Sequence, residues 1–130
     1  MENSTFSFTQ INAWQRAHQF TKLVYKAVVN FPEYERYGLS SQFQRAAVSI
    51  PANIAEGYKR LSKAEKLRFM NIAQGSLEEC RYYIILSYDL QYIDDGTYDE
   101  LINVIENTSR LLNAYVKSIV EDKGVSDAFV

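Results

Sequence analysis

The chain has 130 residues, the size of one domain, and its 47% hydrophobic against 23% charged residues exclude disorder over most of its length. Five Gly and two Pro are too few to punctuate a sandwich or barrel of many short strands, and the longest apolar run, residues 82–86, falls far short of the roughly 20 residues that cross a bilayer. The net charge of −2 excludes a uniformly basic nucleic-acid binder, yet the charge is unevenly held: residues 1–88 carry 11 Lys and Arg against 7 Asp and Glu, and residues 89–130 carry 3 against 9. The polar, acidic opening Met1–Thr5 does not read as a signal segment, and the single Cys80 has no intramolecular disulfide partner. The expectation is a cytoplasmic protein with one domain over 1–130, packed over about 9–120, with short tails.

Periodicity gives four helical segments. The first spans about residues 9–30, with Ile11, Trp14, Ala17, Val24, Ala27 and Phe31 on one stripe, and stops at Phe31-Pro32 because proline disfavours a helical residue before it. A connection at 33–38 turns at Gly38. The second spans about 41–57, with Ser40 as its expected N-cap and Phe43, Ala47, Ile50 and Ile54 as its stripe. Pro51 lies inside it and leaves the Ala47 carbonyl without its usual donor; the stripe keeps phase across it, so a kink is expected rather than an end. The third opens on Ser62-Lys63-Ala64-Glu65, a capping box, and runs to about 91 with an apolar arc too wide for one buried face. The fourth opens on Thr97-Tyr98-Asp99-Glu100, read as a second capping box, and carries the regular stripe Leu101, Val104, Ile105, Thr108, Leu111, Leu112, Tyr115 and Ile119. Four long segments with short connections predict an all-α, antiparallel up-down four-helix bundle, its second helix kinked at Pro51.

The side-chain inventory argues against enzyme chemistry. The one histidine, His18, has no glutamate three residues before it, as a di-iron bundle needs, and no acidic residue within four positions to orient it as a base. Cys80 follows Glu78-Glu79, whose charge raises a thiol pKa, and it reads as a small core residue. The glycines are scattered singly, so no phosphate-cradling loop exists. No catalytic residue, metal ligand or cofactor is assigned.

Two stretches stand out. Arg45, Ser49, Asn53, Glu56 and Arg60 follow steps of three and four, which puts them on one helix face among small residues. This is a polar seam between helices or subunits, a ligand or partner site built on Asn53 and Glu56, or an ordinary solvated face. Residues 59–68 then hold five basic side chains and one acidic. Lys59, Arg60, Lys63 and Lys66 would offer a patch to phosphates if they are not simply solvated. Tyr58, Tyr82, Tyr83, Tyr88 and Tyr92 are candidates for base stacking, although most fall on or beside core stripes. With ten tyrosines and the wide arc of the third segment, one bundle cannot hide all its apolar faces, so self-association is expected.

Trp14-Gln15-Arg16-Ala17-His18, Phe31-Pro32, Tyr37-Gly38-Leu39-Ser40-Ser41-Gln42 and Arg45 through Gly57, followed by Ala73-Gln74-Gly75-Ser76-Leu77-Glu78-Glu79, resemble the four-helix-bundle family of 23S rRNA intervening-sequence proteins. The resemblance covers about residues 11–120, and its most specific part is the Ser49, Pro51, Asn53, Glu56 and Gly57 motif. It implies a homopentamer. It also implies kinship with the accessory proteins of diversity-generating retroelements, whose basic surface contacts nucleic acid and a reverse transcriptase. Carried onto this chain, the contacts to RNA, DNA, or a reverse-transcriptase-like or ribosomal partner are Arg16, Lys22, Arg45, Lys59, Arg60, Lys63 and Lys66. Gln44 stands where a second basic residue before Arg45 is common, which weakens that expectation. The leading expectation is a non-enzymatic pentameric scaffold that binds nucleic acid or a ribonucleoprotein. The rival is a protein-only adaptor docking through the Arg45–Glu56 seam and surface tyrosines.

Overall fold

The computed structural model describes residues 7–122, which form four α-helices: α1 (Asn12–Val28), α2 (Leu39–Tyr58), α3 (Lys63–Asp89) and α4 (Asp95–Glu121). Among the described residues there is no strand. α1 packs on α2 and α4, α3 packs on the same two helices, and α1 and α3 sit diagonally. Cross-helix contacts run in opposite chain directions. Ser49 meets Ser76 and Gln42 meets Tyr83 between α2 and α3, while Gln74 meets Asn113 and Arg81 meets Glu106 between α3 and α4. The core draws on the predicted stripes and on one line of α3: Phe20, Val24, Phe43, Ile50, Ile54, Met70, Leu77, Ile84, Leu101, Ile105, Leu112 and Ile119 are all essentially inaccessible, whereas Trp14, Val104 and Leu111 are only half-buried.

Three helix starts differ from the sequence expectation. The first helix does not begin at Thr9, because Phe8–Gln10 forms a separate 3-10 turn closed by a capping box on Ser7, and Ile11 is extended before α1 begins. In α2 the N-cap is Gly38 rather than Ser40, which is itself buried in the first turn. The first-turn amide of Leu39, which has no partner within the helix, instead donates to Glu35 Oε1 at 3.0 Å, a carboxylate delivered by a 3-10 turn at Glu33–Glu35. A Cβ on residue 38 would lie 2.9 Å from that same oxygen, so a larger residue there would make the Glu35 carboxylate shift. In α4 the cap is Asp94, whose Oδ1 accepts from the Thr97 amide at 2.8 Å; Thr97 lies one turn inside the helix. Ser62 does cap α3 by accepting from the Glu65 amide at 3.1 Å, but the Glu65 carboxylate turns to Arg68 instead of reaching back.

α2 runs unbroken through Pro51. The orphaned Ala47 carbonyl is met from α1, where Thr21 Oγ1 lies 3.1 Å from Ala47 O and 2.9 Å from Ala17 O. A buried polar group left by proline is thus satisfied across the helix pair. At the other end of α2, a Cβ on Gly57 would come within 2.5 Å of Met70 Cε and 2.9 Å of Phe69 Cβ, so α2 and α3 approach as closely there as glycine allows.

Candidate functional site: the basic end and the α2–α3 seam

The basic stretch sits where α2 ends and α3 begins, and its lysines are not equivalent. Lys66 is buried, with its Nζ donating to Tyr58 O at 2.7 Å and to Gly57 O at 3.4 Å. It closes the C-terminal carbonyls of α2. Burial holds its ammonium below the ordinary lysine range, opposed in part by the negative charge of Asp122. The expectation that Lys66 faces a phosphate is therefore corrected, since its charge is spent inside the bundle. Lys63 is exposed, but its Nζ donates to Val120 O at 3.1 Å and to Asp122 O, closing the end of α4. Arg60 pairs with Glu56 one turn back and lies over the Phe69 ring at 4.8 Å. Lys59 sits 6.0 Å from the Tyr58 ring centroid.

The family-motif residues form a bonded seam on the α2–α3 groove. Asn53 Nδ2 donates to Ser49 O at 2.7 Å and to Ser49 Oγ at 3.0 Å, and Ser76 Oγ donates to Ser49 Oγ at 2.8 Å. Further along, Tyr83 OH bridges Glu79 Oε2 at 2.6 Å and Gln42 Oε1 at 3.1 Å. Burial, then the Glu79 bond and charge, push this phenol up to about 12. A cleft of about 400 Å³ opens over the seam between Gln42, Arg45, Ala46, Ser49, Ser76 and Glu79. Arg45 donates to Ser41 Oγ at 3.1 Å along its own helix. Of the sequence-based alternatives, the polar seam between helices is the one this geometry matches. Pro51 faces the core, and Glu56 is engaged by Arg60.

The seven basic candidates do not form one patch. Arg45 lines the α2–α3 groove, whereas Arg16 and Lys22 stand on α1, where Arg16 donates to Gln19 Oε1 at 2.6 Å. Arg16 near the start of α1 and residues 59–66 share one end of the bundle, since the turn before α1 adjoins α2 and the end of α4 adjoins Lys63. The opposite end is acidic. Asp89, Asp94 and Asp95, with Tyr88, Tyr92 and Asn30, line a cleft of about 760 Å³. The charge imbalance between the two parts of the sequence is thus partly a sorting between the two ends of the fold.

The tyrosines divide as well. Tyr83 is buried, Tyr92 donates to Glu35 Oε2 at 2.8 Å and lies 3.1 Å from Tyr34 OH, and Tyr88 donates to Asp95 Oδ1 at 2.6 Å. Tyr82 stays 57% exposed. The sequence reading missed Tyr25, Val29, Tyr34 and Tyr37, all exposed; Val29 lies outside the core stripe, a signal available from periodicity alone. His18 is exposed and stacks on Trp14 at 4.9 Å. Cys80 is buried, and burial with the adjacent Glu79 raises its thiol out of any reactive range. Among the described residues no helix is long and apolar enough to cross a membrane.

The same fold occurs in a crystal structure of a protein of unknown function from the S23 ribosomal protein family of Bacteroides thetaiotaomicron VPI-5482. It matches with a TM-score of 0.72 and 28% identity, covering 81% of this chain and 98% of that one. No curated protein matches the chain. The family described as 23S rRNA-intervening sequence protein matches residues 9–114, which takes in the Ser49–Gly57 seam, the α2–α3 junction and most of α4. The Asn53–Ser49–Ser76 network and the Gly57 contact with α3 are therefore features of a 23S rRNA-intervening sequence protein, the family to which this chain belongs.

Proposed function

We propose that the chain is a non-enzymatic scaffold that associates as a homopentamer and turns its basic end toward nucleic acid or a ribonucleoprotein partner. The observation that carries the reading is the sorting of charge, with Arg16, Lys59, Arg60 and Lys63 at one end and the Asp89–Asp95 cleft at the other. In an assembly of aligned bundles those basic ends repeat around one rim, and a polyanion then meets several weak contacts at once. Self-association is supported by α3, which buries one face yet leaves Ile72, Tyr82 and Ile85 between 40% and 57% exposed. The test is light scattering with and without RNA at low and high salt. A particle of five chains that gains mass with RNA and sheds it in salt is expected, and RNA retention unchanged in an Arg16→Glu/Lys59→Glu variant would overturn the nucleic-acid part.

One observation favours a protein-only adaptor. Lys63 and Lys66 commit their ammonium groups to helix ends and Glu56 neutralises Arg60, while the Arg45–Ser49 cleft stays open. An oligomer indifferent to RNA, with a protein partner retained after nuclease treatment, would decide for that reading.

A further inference from the structure

Resting on the self-association reading above, we infer that the occupant of the exposed α3 face is the α1 face of a second copy, in a head-to-tail contact. Two outward stripes carry the argument. On α1, Lys22, Tyr25, Lys26 and Val29 follow helical spacing and point away from the core, with Tyr25 47% and Val29 79% exposed. On α3, Gly75, Glu78, Tyr82, Ile85 and Asp89 do the same, with Tyr82 57% and Ile85 47% exposed.

These stripes are complementary in charge and opposed in position. α1 carries Arg16, Lys22 and Lys26 and not one acidic residue. The C-terminal half of α3 carries Glu78, Glu79 and Asp89 against Arg81, and Arg81 is already held between Glu78 and Glu106. Each stripe sets apolar side chains among charges of one sign, so each repels its own kind and attracts the other. Because α1 and α3 lie diagonally, a contact between them uses opposite sides of the bundle. Such a contact is heterologous, so a dimer does not exhaust it: it continues from copy to copy and closes into a ring where the rotation between neighbours allows.

The heights agree too. Ala27 and Asn30 line the same cleft as Tyr88 and Asp89, so the C-terminal ends of α1 and α3 are level. The alternating chain direction makes α1 and α3 parallel within one bundle. In a ring whose axis runs along the bundles, neighbouring α1 and α3 stay parallel, which brings Lys22 level with Tyr82 and near Glu78, and Lys26 near Asp89. Gly75 fits the same picture. A Cβ there would meet nothing within 4 Å, so nothing inside the chain requires glycine in mid-helix, whereas a helix of another copy approaching this face would.

The test uses full-length Val29→Asp and Tyr82→Asp chains, both changed at exposed positions, with helicity checked by circular dichroism. Val29→Asp keeps a competent α3 face and Tyr82→Asp keeps a competent α1 face. Each alone is expected to scatter as one chain of 15.0 kDa, and an equimolar mixture as a heterodimer of twice that mass and no larger. Wild-type-like assembly of either variant, or a mixture that stays at one chain while the wild type assembles, overturns the inference and leaves the scaffold reading standing. A wild-type chain that is itself monomeric removes the scaffold reading and this one with it.

Discussion

The hydroxyl of Thr21 lies 3.1 Å from the carbonyl oxygen of Ala47, the acceptor that Pro51 leaves without a donor. A proline in mid-helix is therefore compensated by a side chain from the neighbouring helix, and the α1–α2 contact gains a polar fixed point within an otherwise apolar interface. Thr21→Val removes that donor while keeping the shape. It should cost about 1–2 kcal/mol in chemical denaturation, the penalty of a buried carbonyl left unpaired. In a Pro51→Ala background, where the residue 51 amide again reaches Ala47, the same change should cost much less. Additive effects in that double-mutant cycle would refute the pairing.

Lys66 and Lys59 look alike in sequence and should behave oppositely. Lys66→Met strands the Tyr58 carbonyl, while Gly57 O keeps the Arg60 amide, and is expected to lower unfolding stability by about 1–3 kcal/mol with no selective loss of RNA retention. Lys59→Glu should leave the melting curve in place and reduce RNA retention at low salt. A Lys66 variant with wild-type stability would show that the α2 end needs no such closure.

Gly57, at the α2–α3 contact, and Gly75, on the outward stripe of α3, give a second opposed pair. Gly57→Ala forces a Cβ into Met70 and Phe69 and should destabilise the fold by about 1–3 kcal/mol. Gly75→Ala meets open space and should stabilise the helix by about 0.5–1 kcal/mol, read in a Tyr82→Asp background so that folding is measured apart from assembly. In the otherwise wild-type chain the same change should weaken self-association. Equal signs for both glycines in the unfolding measurement would contradict the packing described.

Alkaline pH should loosen the bundle. Burial pushes the Tyr115 phenol up to about 12, and burial with Glu79 does the same for Tyr83, so the folded state favours both neutral forms. The stability they hold is complete below the unfolded tyrosine pKa of about 10 and is lost as pH rises toward 12. Tyr115→Phe should flatten that decline and be neutral or stabilising at pH 7, because its hydroxyl has no hydrogen-bond partner among the described residues. Tyr83→Phe also flattens it but costs about 1 kcal/mol at pH 7 through the lost Gln42 and Glu79 bonds. Melting temperatures from pH 7 to 11 read both effects.

Periodicity made the core legible, because Phe43, Ala47, Ile50 and Ile54 need only a 3.6-residue repeat to declare their common face. Caps were legible where one candidate stood alone, as at Ser62. They were misplaced where the capping acceptor came from elsewhere, as with the Glu35 carboxylate before Leu39, or where a second residue of capping type stood three positions upstream, as Asp94 does of Thr97. The role of Lys66 was illegible for a different reason. Nothing in a run of five basic residues says which one folds inward, and that choice is made by the turn at 59–62, which presents the α2 carbonyls to a single position.

Lys63 and Lys66, three residues apart in the first turn of α3, close the ends of two other helices. The first turn of α3 is consequently a clasp, and a single local opening at 62–66 releases the last turns of α2 and α4 together. Amide protons near Arg60 and near Asp122, far apart in the chain, should then exchange with solvent at matched rates, as one small unit that opens well before the core. Any modification that neutralises Lys63, the exposed member of the pair, would act on the far end of the chain, because that is where its hydrogen bonds end.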